Sequence, residues 1–132
     1  MDEKSIEKLL NMFERDRFVK AVGIQIISVT ESGAVCTLAT DDSHLNANDT
    51  VQGGAVYTLA DFAFAVAANA GGINTVTLNG SISYVRGARG GVLTATAIPV
   101  HQGRTTCVFT VNVTDEAGKL IATANFTGAR LG

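Results

Sequence analysis

The stretch from residue 53 to 72, GGAVYTLADFAFAVAANAGG, constrains the fold more than any other part of the chain. It is rich in alanine and apolar almost all round, and Asp61 is its only residue charged at neutral pH. A helix of this composition has to be covered on most of its sides. It is interrupted too often for a membrane span, which needs about 20 mainly apolar residues and loses roughly 2.5–3.5 kcal/mol for an acid at its centre. We therefore expect a buried helix from Gly53 to about Ala70, ended by Gly71 and Gly72.

The segments around this helix predict one antiparallel sheet. An amphipathic helix is expected from about residue 5 to 22, because apolar residues recur there at spacings of three and four. Two strands joined by a turn at residues 31–33 follow, and residues 41–52 form a polar loop. After the buried helix, residues 73–131 alternate in the manner of four strands. The prediction is a single α+β domain over residues 1–132, with a curved sheet of about six strands wrapped round one helix.

Composition and charge exclude several classes of function. The formal net charge is -2 and no run of Lys or Arg occurs, so we expect no nucleic-acid partner. Cys36 and Cys107 lie in apolar strand-like segments and are expected to be buried free thiols, although a disulfide remains open. His44 and His101 stand alone, so no metal site is predicted. The charged N-terminus carries no signal-peptide pattern, and we expect a cytoplasmic protein.

Residues 44–70, HLNANDTVQGGAVYTLADFAFAVAANA, resemble the signature of hotdog-fold acyl-CoA thioesterases of the phenylacetate-degradation (PaaI-like) type. Asn46, Gly53, Gly54, Leu59 and Asp61 match that signature in register. The resemblance extends over roughly residues 20–130. It implies the hotdog fold and hydrolysis of an acyl-CoA, with no cofactor because coenzyme A is part of the substrate.

The sequence departs from this family at two positions. Asp49 stands where the family has glycine, which bears on the backbone of the loop because glycine tolerates positive φ far better. Gln52 stands where the family has histidine, although the 4-hydroxybenzoyl-CoA type of hotdog thioesterase is similar in placing glutamine nearby.

A helix that starts at Gly53 offers free backbone N–H groups and the positive end of its dipole to a thioester carbonyl. Gly54 leaves room for the acyl group, Gln52 could donate from its side-chain amide, and Asn46 could hold the loop, the leaving group or a water. Asp61 is the candidate nucleophile or general base, and the sequence leaves both roles open.

Asp61 lies eight residues beyond Gly53, which is about 12 Å along a helix. An aspartate cannot span that distance, so the two groups can act on one carbonyl only if they come from different subunits. We therefore predict a homodimer with shared active sites, whose open sheet edges favour a further pairing into a homotetramer.

The family resemblance also suggests Thr77 as a residue that orients water. Tyr57 is a candidate wall of the acyl pocket, while Arg89 and Arg104 are candidates for binding the phosphates of coenzyme A. Two alternative functions remain at this stage. One is a non-catalytic acyl-CoA binder, which the replacements at positions 49 and 52 allow. The other is a hotdog hydratase, which would need a histidine where Gln52 stands. The sequence does not identify the acyl group.

Overall fold

The computed structural model describes all residues from 1 to 132 and contains three α-helices, one short 3-10 helix and six strands. The helices are α1 (Glu3–Phe13), α2 (Arg17–Val22) and α3 (Gly53–Asn69), with the 3-10 turn at Asp42–His44 between β2 and α3. The strands are β1 (Ile24–Thr30), β2 (Gly33–Ala39), β3 (Thr75–Tyr84), β4 (Val92–Gln102), β5 (Thr106–Thr114) and β6 (Leu120–Arg130).

The six strands form one antiparallel sheet in the order β1-β2-β4-β5-β6-β3. α3 packs across one face of this sheet and contacts every strand. This is the α+β arrangement predicted from the sequence. Because β3 crosses over to pair with β6, it occupies the edge of the sheet, and it is the strand that follows α3 in the chain.

The core lies between α3 and the sheet. Phe64 of α3 stacks on Phe126 with ring centroids 5.2 Å apart and meets Phe109 edge to face at 5.6 Å. Alanines 60, 63, 67 and 68 of α3 are also buried, and their small side chains bring the helix close to the strands. The helix ends where predicted, with Gly72 adopting a φ of 86° that favours glycine.

The N-terminal region differs from the prediction of one helix over residues 5–22. It forms two helices, with a break between Phe13 and Arg17. Asp16 explains the break, because its side chain accepts a hydrogen bond from the Val19 amide and caps a new helix. The break turns the chain so that Phe13 packs edge to face on Phe62 of α3, with ring centroids 5.3 Å apart.

Cys36 and Cys107 are free and fully buried, which confirms the prediction of buried free thiols and not the alternative of a disulfide. Burial raises the pKa of Cys36 to about 12, so this thiol stays protonated. None of the helices is both long enough and apolar enough to cross a membrane.

Candidate active site

One face of α3 is left uncovered by the sheet. Gly54, Thr58, Asp61 and Ala65 succeed one another along this face and are exposed or half-buried, whereas most of the remaining helix is buried. Asp61 is therefore neither a solvated surface residue nor a core residue in the protomer. It stands half-buried in an accessible, otherwise uncharged face.

The carboxylate of Asp61 is held by Thr77, whose hydroxyl donates a hydrogen bond of 2.8 Å to Oδ1. Burial raises the pKa of Asp61 above its ordinary value, and the charge on Asp16 raises it further, while the hydrogen bond from Thr77 lowers it. The structure thus brings together two residues that the sequence had proposed separately. A carboxylate with a raised pKa and one fixed hydrogen bond is suited to proton transfer or nucleophilic attack.

β3, the edge strand, runs alongside the uncovered face of α3 in the opposite direction. Thr77 contacts Asp61, and three residues later Gly80 lies under the hydroxyl of Tyr57, where a methyl group on Gly80 would overlap that hydroxyl. Finally, the Tyr84 hydroxyl donates a hydrogen bond of 2.8 Å to the Gly53 carbonyl. These three contacts align the exposed face of the helix with the edge strand of the sheet.

The N-terminus of α3 offers unpaired donors. The first amides that bond within the helix are those of Ala55 and Val56, both to the Gln52 carbonyl, while the Gly53 and Gly54 amides bond to no group of the chain. Gln52 precedes the helix, is exposed, and makes no side-chain capping bond. The helix dipole adds a partial positive charge at the same point. This end of α3 can therefore accept a carbonyl oxygen that becomes negative.

The loop before α3 is held by Asn46, whose side-chain oxygen accepts hydrogen bonds from the Asn48 amide and from the amide and hydroxyl of Thr50. Asn46 therefore shapes the loop, the first of the roles suggested for it. Asp49 adopts a φ of 58°, so the replacement of the family glycine leaves the left-handed backbone in place.

The side chain of His44 is buried beside the same loop and is only 8% exposed. Its Nδ1 accepts from the Asp41 amide at 2.9 Å, which leaves Nε2 to donate to the Val22 carbonyl at 2.6 Å. The Gln52 amide in turn donates to the His44 carbonyl at 2.7 Å. Both ring nitrogens of His44 are thus occupied by structural bonds.

The two candidate arginines lie at opposite ends of the protomer. Arg89 follows Ala88, whose carbonyl accepts from the Val51 amide, so Arg89 is near the start of α3. Arg104 lies in the β4–β5 turn, which Arg130 connects to the last turn of α3 by bonding to both the Gly103 and Ala68 carbonyls. Both arginines are exposed, and one protomer does not bring them together.

A cavity of about 550 Å³ opens beside Thr77, between the α1–α2 break, the C-terminal half of α3 and the start of β3. Its lining includes the apolar residues Met12, Phe13, Ala65 and Val76, with Arg15 and Arg17 among the polar ones. A larger cavity of about 880 Å³ lies between α1 and the end of α3 and includes none of the predicted site residues. The cavity of about 550 Å³ is therefore the one that adjoins the candidate catalytic residues.

Sequence reasoning missed two residues that act on the site. Asp16 affects the pKa of Asp61 from a turn 45 positions earlier, and Tyr84 holds the first residue of α3 from the end of β3. No local pattern could have found either contact, since both depend on how distant segments meet. No group of three or more His, Cys, Asp or Glu side chains is arranged to hold a metal ion.

Comparison with known proteins gives a consistent result. Residues 48–122 match the thioesterase superfamily. The chain is 36% identical over 133 residues to the acyl-coenzyme A thioesterase PaaI of Escherichia coli K12, with 100% of this chain and 95% of that protein covered.

Solved structures agree with this match. The structure of E. coli PaaI, from the phenylacetic acid degradation operon, has a TM-score of 0.93 at 35% identity and covers 98% of this chain and 94% of its own. A hypothetical thioesterase of Streptococcus pneumoniae TIGR4, solved with coenzyme A, has a TM-score of 0.85 at 31% identity, covering 93% and 97% of the two chains. The hotdog fold predicted from the sequence is confirmed. The chain belongs to the thioesterase superfamily.

Proposed function

We propose that this protein is an acyl-CoA thioesterase, which hydrolyses an acyl-CoA to the free acid and coenzyme A. The observation that carries the proposal is Asp61, half-buried on an accessible face of α3 and held by Thr77 at 2.8 Å. The superfamily supports it, as does the name of the E. coli relative and the coenzyme A in the S. pneumoniae structure.

The active site is completed by a second copy of the chain. Gly53 and Asp61 are separated by about 12 Å along α3, and the exposed strand β3 provides an edge at which two copies can pair. In a two-fold dimer with antiparallel α3 helices, Asp61 of one protomer meets the helix start of its partner. Each dimer then contains two such sites.

The exposed apolar residues of β3 favour this pairing. Leu78 is 66% exposed and Val76 is 44% exposed, which an isolated edge strand would leave open to aggregation. The outer face of the sheet exposes Ile98 and Val100 as well. A second interface on that face would join two dimers into the proposed tetramer.

In the composite site the partner's Gly53 and Gly54 amides bind the thioester carbonyl oxygen, with the partner's Gln52 side chain as a further donor. Asp61 either attacks the carbonyl carbon or removes the proton from a water molecule that does so. Both routes give a tetrahedral oxyanion at the helix start, and collapse of that intermediate expels coenzyme A as its thiolate. The water route then leaves the free acid. Attack by Asp61 leaves a mixed anhydride between the acyl group and the Asp61 carboxyl, which water hydrolyses to the free acid and the restored carboxylate. After a single turnover in ¹⁸O-labelled water, label in Asp61 would demonstrate nucleophilic attack, because water that cleaves the anhydride at the Asp61 carbon leaves its oxygen in the protein, whereas the general-base route never does.

The antiparallel arrangement also assigns a role to the two arginines. Arg104 lies at the C-terminal end of α3, which the partner's helix start approaches, and the partner's Arg89 lies near that start. The two guanidinium groups would then flank one site and bind the phosphates of coenzyme A. The apolar cavity beside Thr77 would hold the acyl group. Two buried free cysteines fit a reducing compartment, and we propose a cytoplasmic location.

His44 argues against the hydratase alternative. A hydratase of this fold needs a histidine facing the substrate at the loop–helix junction, where this chain has Gln52. The ring of His44 is instead buried and bonded to Asp41 and Val22.

A thiol-release assay with short-chain, aromatic and long-chain acyl-CoAs tests the function and separates the enzyme from a non-catalytic binder. Asp61→Asn keeps the shape and the acceptor for Thr77 but removes the charge, so kcat should fall by at least ~100-fold while acyl-CoA still binds. Wild-type binding of acyl-CoA without thiol release would show a binder instead.

Mixed dimers test the shared site. One chain carries Asp61→Asn and the other carries a substitution that blocks the helix start. Gly54 is a better place for that substitution than Gly53, because a Cβ on Gly54 meets only Gln52 Cγ at 3.9 Å, whereas one on Gly53 would lie 3.2 Å from the Tyr84 ring. Gly54→Val should block the acyl group at the helix start without disturbing the fold. Heterodimers of Gly54→Val and Asp61→Asn chains contain one intact site and should recover activity. Verified heterodimers that stay inactive would contradict a site shared between protomers.

A further inference from the structure

The hydroxyl of Tyr57 is fixed in place but has no partner. The Tyr57 ring packs on Phe126 with centroids 5.6 Å apart and an interplanar angle of 61°, and its hydroxyl stands over Gly80. It makes no hydrogen bond within the chain. Since every buried side-chain nitrogen or oxygen does have a partner, the Tyr57 hydroxyl must be accessible at the protomer surface. A tyrosine with a packed ring and a free hydroxyl is suited to an interface.

The proposed composite site determines where Tyr57 lies in the dimer. If Asp61 is level with the partner's Gly53, the midpoint of these two helix positions is residue 57. Tyr57 is four residues from Gly53 and four from Asp61, about 6 Å along the axis in each direction. The two-fold axis therefore passes at the level of Tyr57, and the partner's Tyr57 lies opposite.

The edge strand gives the same position independently. β3 runs from Thr75 to Tyr84, so its midpoint falls between Asn79 and Gly80. An antiparallel strand that pairs with its own copy over its full length has the two-fold axis at this midpoint. Gly80 is also the residue under the Tyr57 hydroxyl. The midpoint of the helix face and the midpoint of the edge strand are thus in contact.

We propose that Tyr57 donates a hydrogen bond to, or accepts one from, the partner's Tyr57 on the two-fold axis, and that this pair sets the register bringing each Asp61 to its partner's helix start. Tyr57 is then a positioning residue, not a wall of the acyl pocket. The inference rests on the dimer of the proposed function. Burial, the charge on Asp61 and the neighbouring Tyr84 all raise the pKa of Tyr57, so both hydroxyls keep their protons at neutral pH.

Dityrosine cross-linking tests the contact directly, because the chain has only two tyrosines, Tyr57 and Tyr84. Light-driven oxidation with a ruthenium complex and persulfate couples tyrosine rings that touch. Wild type and Tyr84→Phe should both give a covalent dimer with dityrosine fluorescence, and Tyr57→Phe should give none. A wild-type dimer that yields no dityrosine, or one whose cross-link survives in Tyr57→Phe, would overturn the proposal. A wild-type protein that sediments as an active monomer would overturn it too.

Tyr57→Phe also tests the positioning role. The dimer Kd should rise about five- to tenfold, the equivalent of one net hydrogen bond. At protein concentrations far above that Kd, kcat should fall by a similar factor while KM changes less than about twofold. An unchanged Kd, or an effect on KM alone, would indicate an acyl-pocket wall and refute the pair.

These outcomes are distinct from failure of the proposed function. Thiol release without the cross-link would leave the thioesterase intact and remove the tyrosine pair. A Tyr57 cross-link in a protein that releases no thiol from any acyl-CoA would support the pair and remove the thioesterase.

Discussion

The hydrogen bond from Thr77 should set the acid limb of the pH–rate profile. The hydroxyl donates to Asp61 Oδ1 at 2.8 Å and thereby lowers the pKa of this carboxyl, against the larger effect of burial. Thr77→Val keeps the shape of the side chain and removes the donor. The pKa of Asp61 should rise, so the ionised form needed for catalysis appears only at higher pH.

The size of this effect follows from the geometry. Hydrogen bonds to charged groups are worth about 1.5–3 kcal/mol, and we take the lower end as a minimum, because Asp61 is half-buried in the protomer and would be buried further in the proposed dimer. About 1.5 kcal/mol corresponds to roughly a tenfold change in the equilibrium between the two protonation states. On the acid limb kcat/KM should therefore fall about tenfold, while the plateau at higher pH stays close to that of wild type.

The assay is kcat/KM for one acyl-CoA across the acidic and neutral range, with Thr77→Ser as the matched control. Serine restores the hydroxyl and should return the acid limb to its wild-type position. If Thr77→Val lowers kcat/KM equally at every pH without moving the acid limb, Thr77 does not act through the ionisation of Asp61. It would then act on the water or on the transition state.

Three further predictions concern charges near the site. Asp16→Asn keeps a good helix cap but removes a charge that raises the pKa of Asp61. The acid limb of the pH–rate profile should therefore move to lower pH, opposite to the effect of Thr77→Val. An acid limb that does not move would show that Asp16 has no effect on the ionisation of Asp61. Because burial raises the pKa of Asp61 in the folded state, wild type should lose stability as pH rises through the interval from the unfolded to the folded pKa. Urea unfolding should then show Asp61→Asn to be the more stable protein at neutral pH, with the advantage vanishing below the unfolded pKa. Arg89→Ala and Arg104→Ala should each raise KM for acyl-CoA but not for the matching acyl-pantetheine, which lacks the nucleotide phosphates; equal effects on both substrates would exclude phosphate binding.

Much of the fold could be predicted because the signals are local. The buried helix was expected from Gly53 to about Ala70 and runs from Gly53 to Asn69, since an unbroken apolar segment ended by glycines has few other solutions. Six strands were expected and six are present. The break at Asp16 was missed because apolar residues at helical spacing occur on both sides of it, up to Phe13 and again from Phe18. Only the capping bond to Val19 reveals that a new helix starts there.

The residues of the candidate site could be named from the sequence, but their arrangement could not. Asp61 and Thr77 were candidates on separate grounds, yet their contact joins residues 16 positions apart across the end of α3. Arg89 and Arg104 were both chosen because they sit at turns, but Arg89 lies before β4 and Arg104 after it, so the two turns are at opposite ends of one strand.

The state of Asp61 gives a physical reason why the protomer alone would be a poor catalyst. Two effects already raise the pKa of this carboxyl in one copy, burial and the charge on Asp16, and only the bond from Thr77 opposes them. In the proposed dimer the carboxylate would be buried further, which by itself would raise its pKa more and favour its protonation. In that dimer the partner's helix start would be the compensating group, because its unpaired Gly53 and Gly54 amides and its dipole favour negative charge. The same amides that polarise the thioester carbonyl would thus help to keep Asp61 ionised, so both demands of the chemistry are met at one point of the interface.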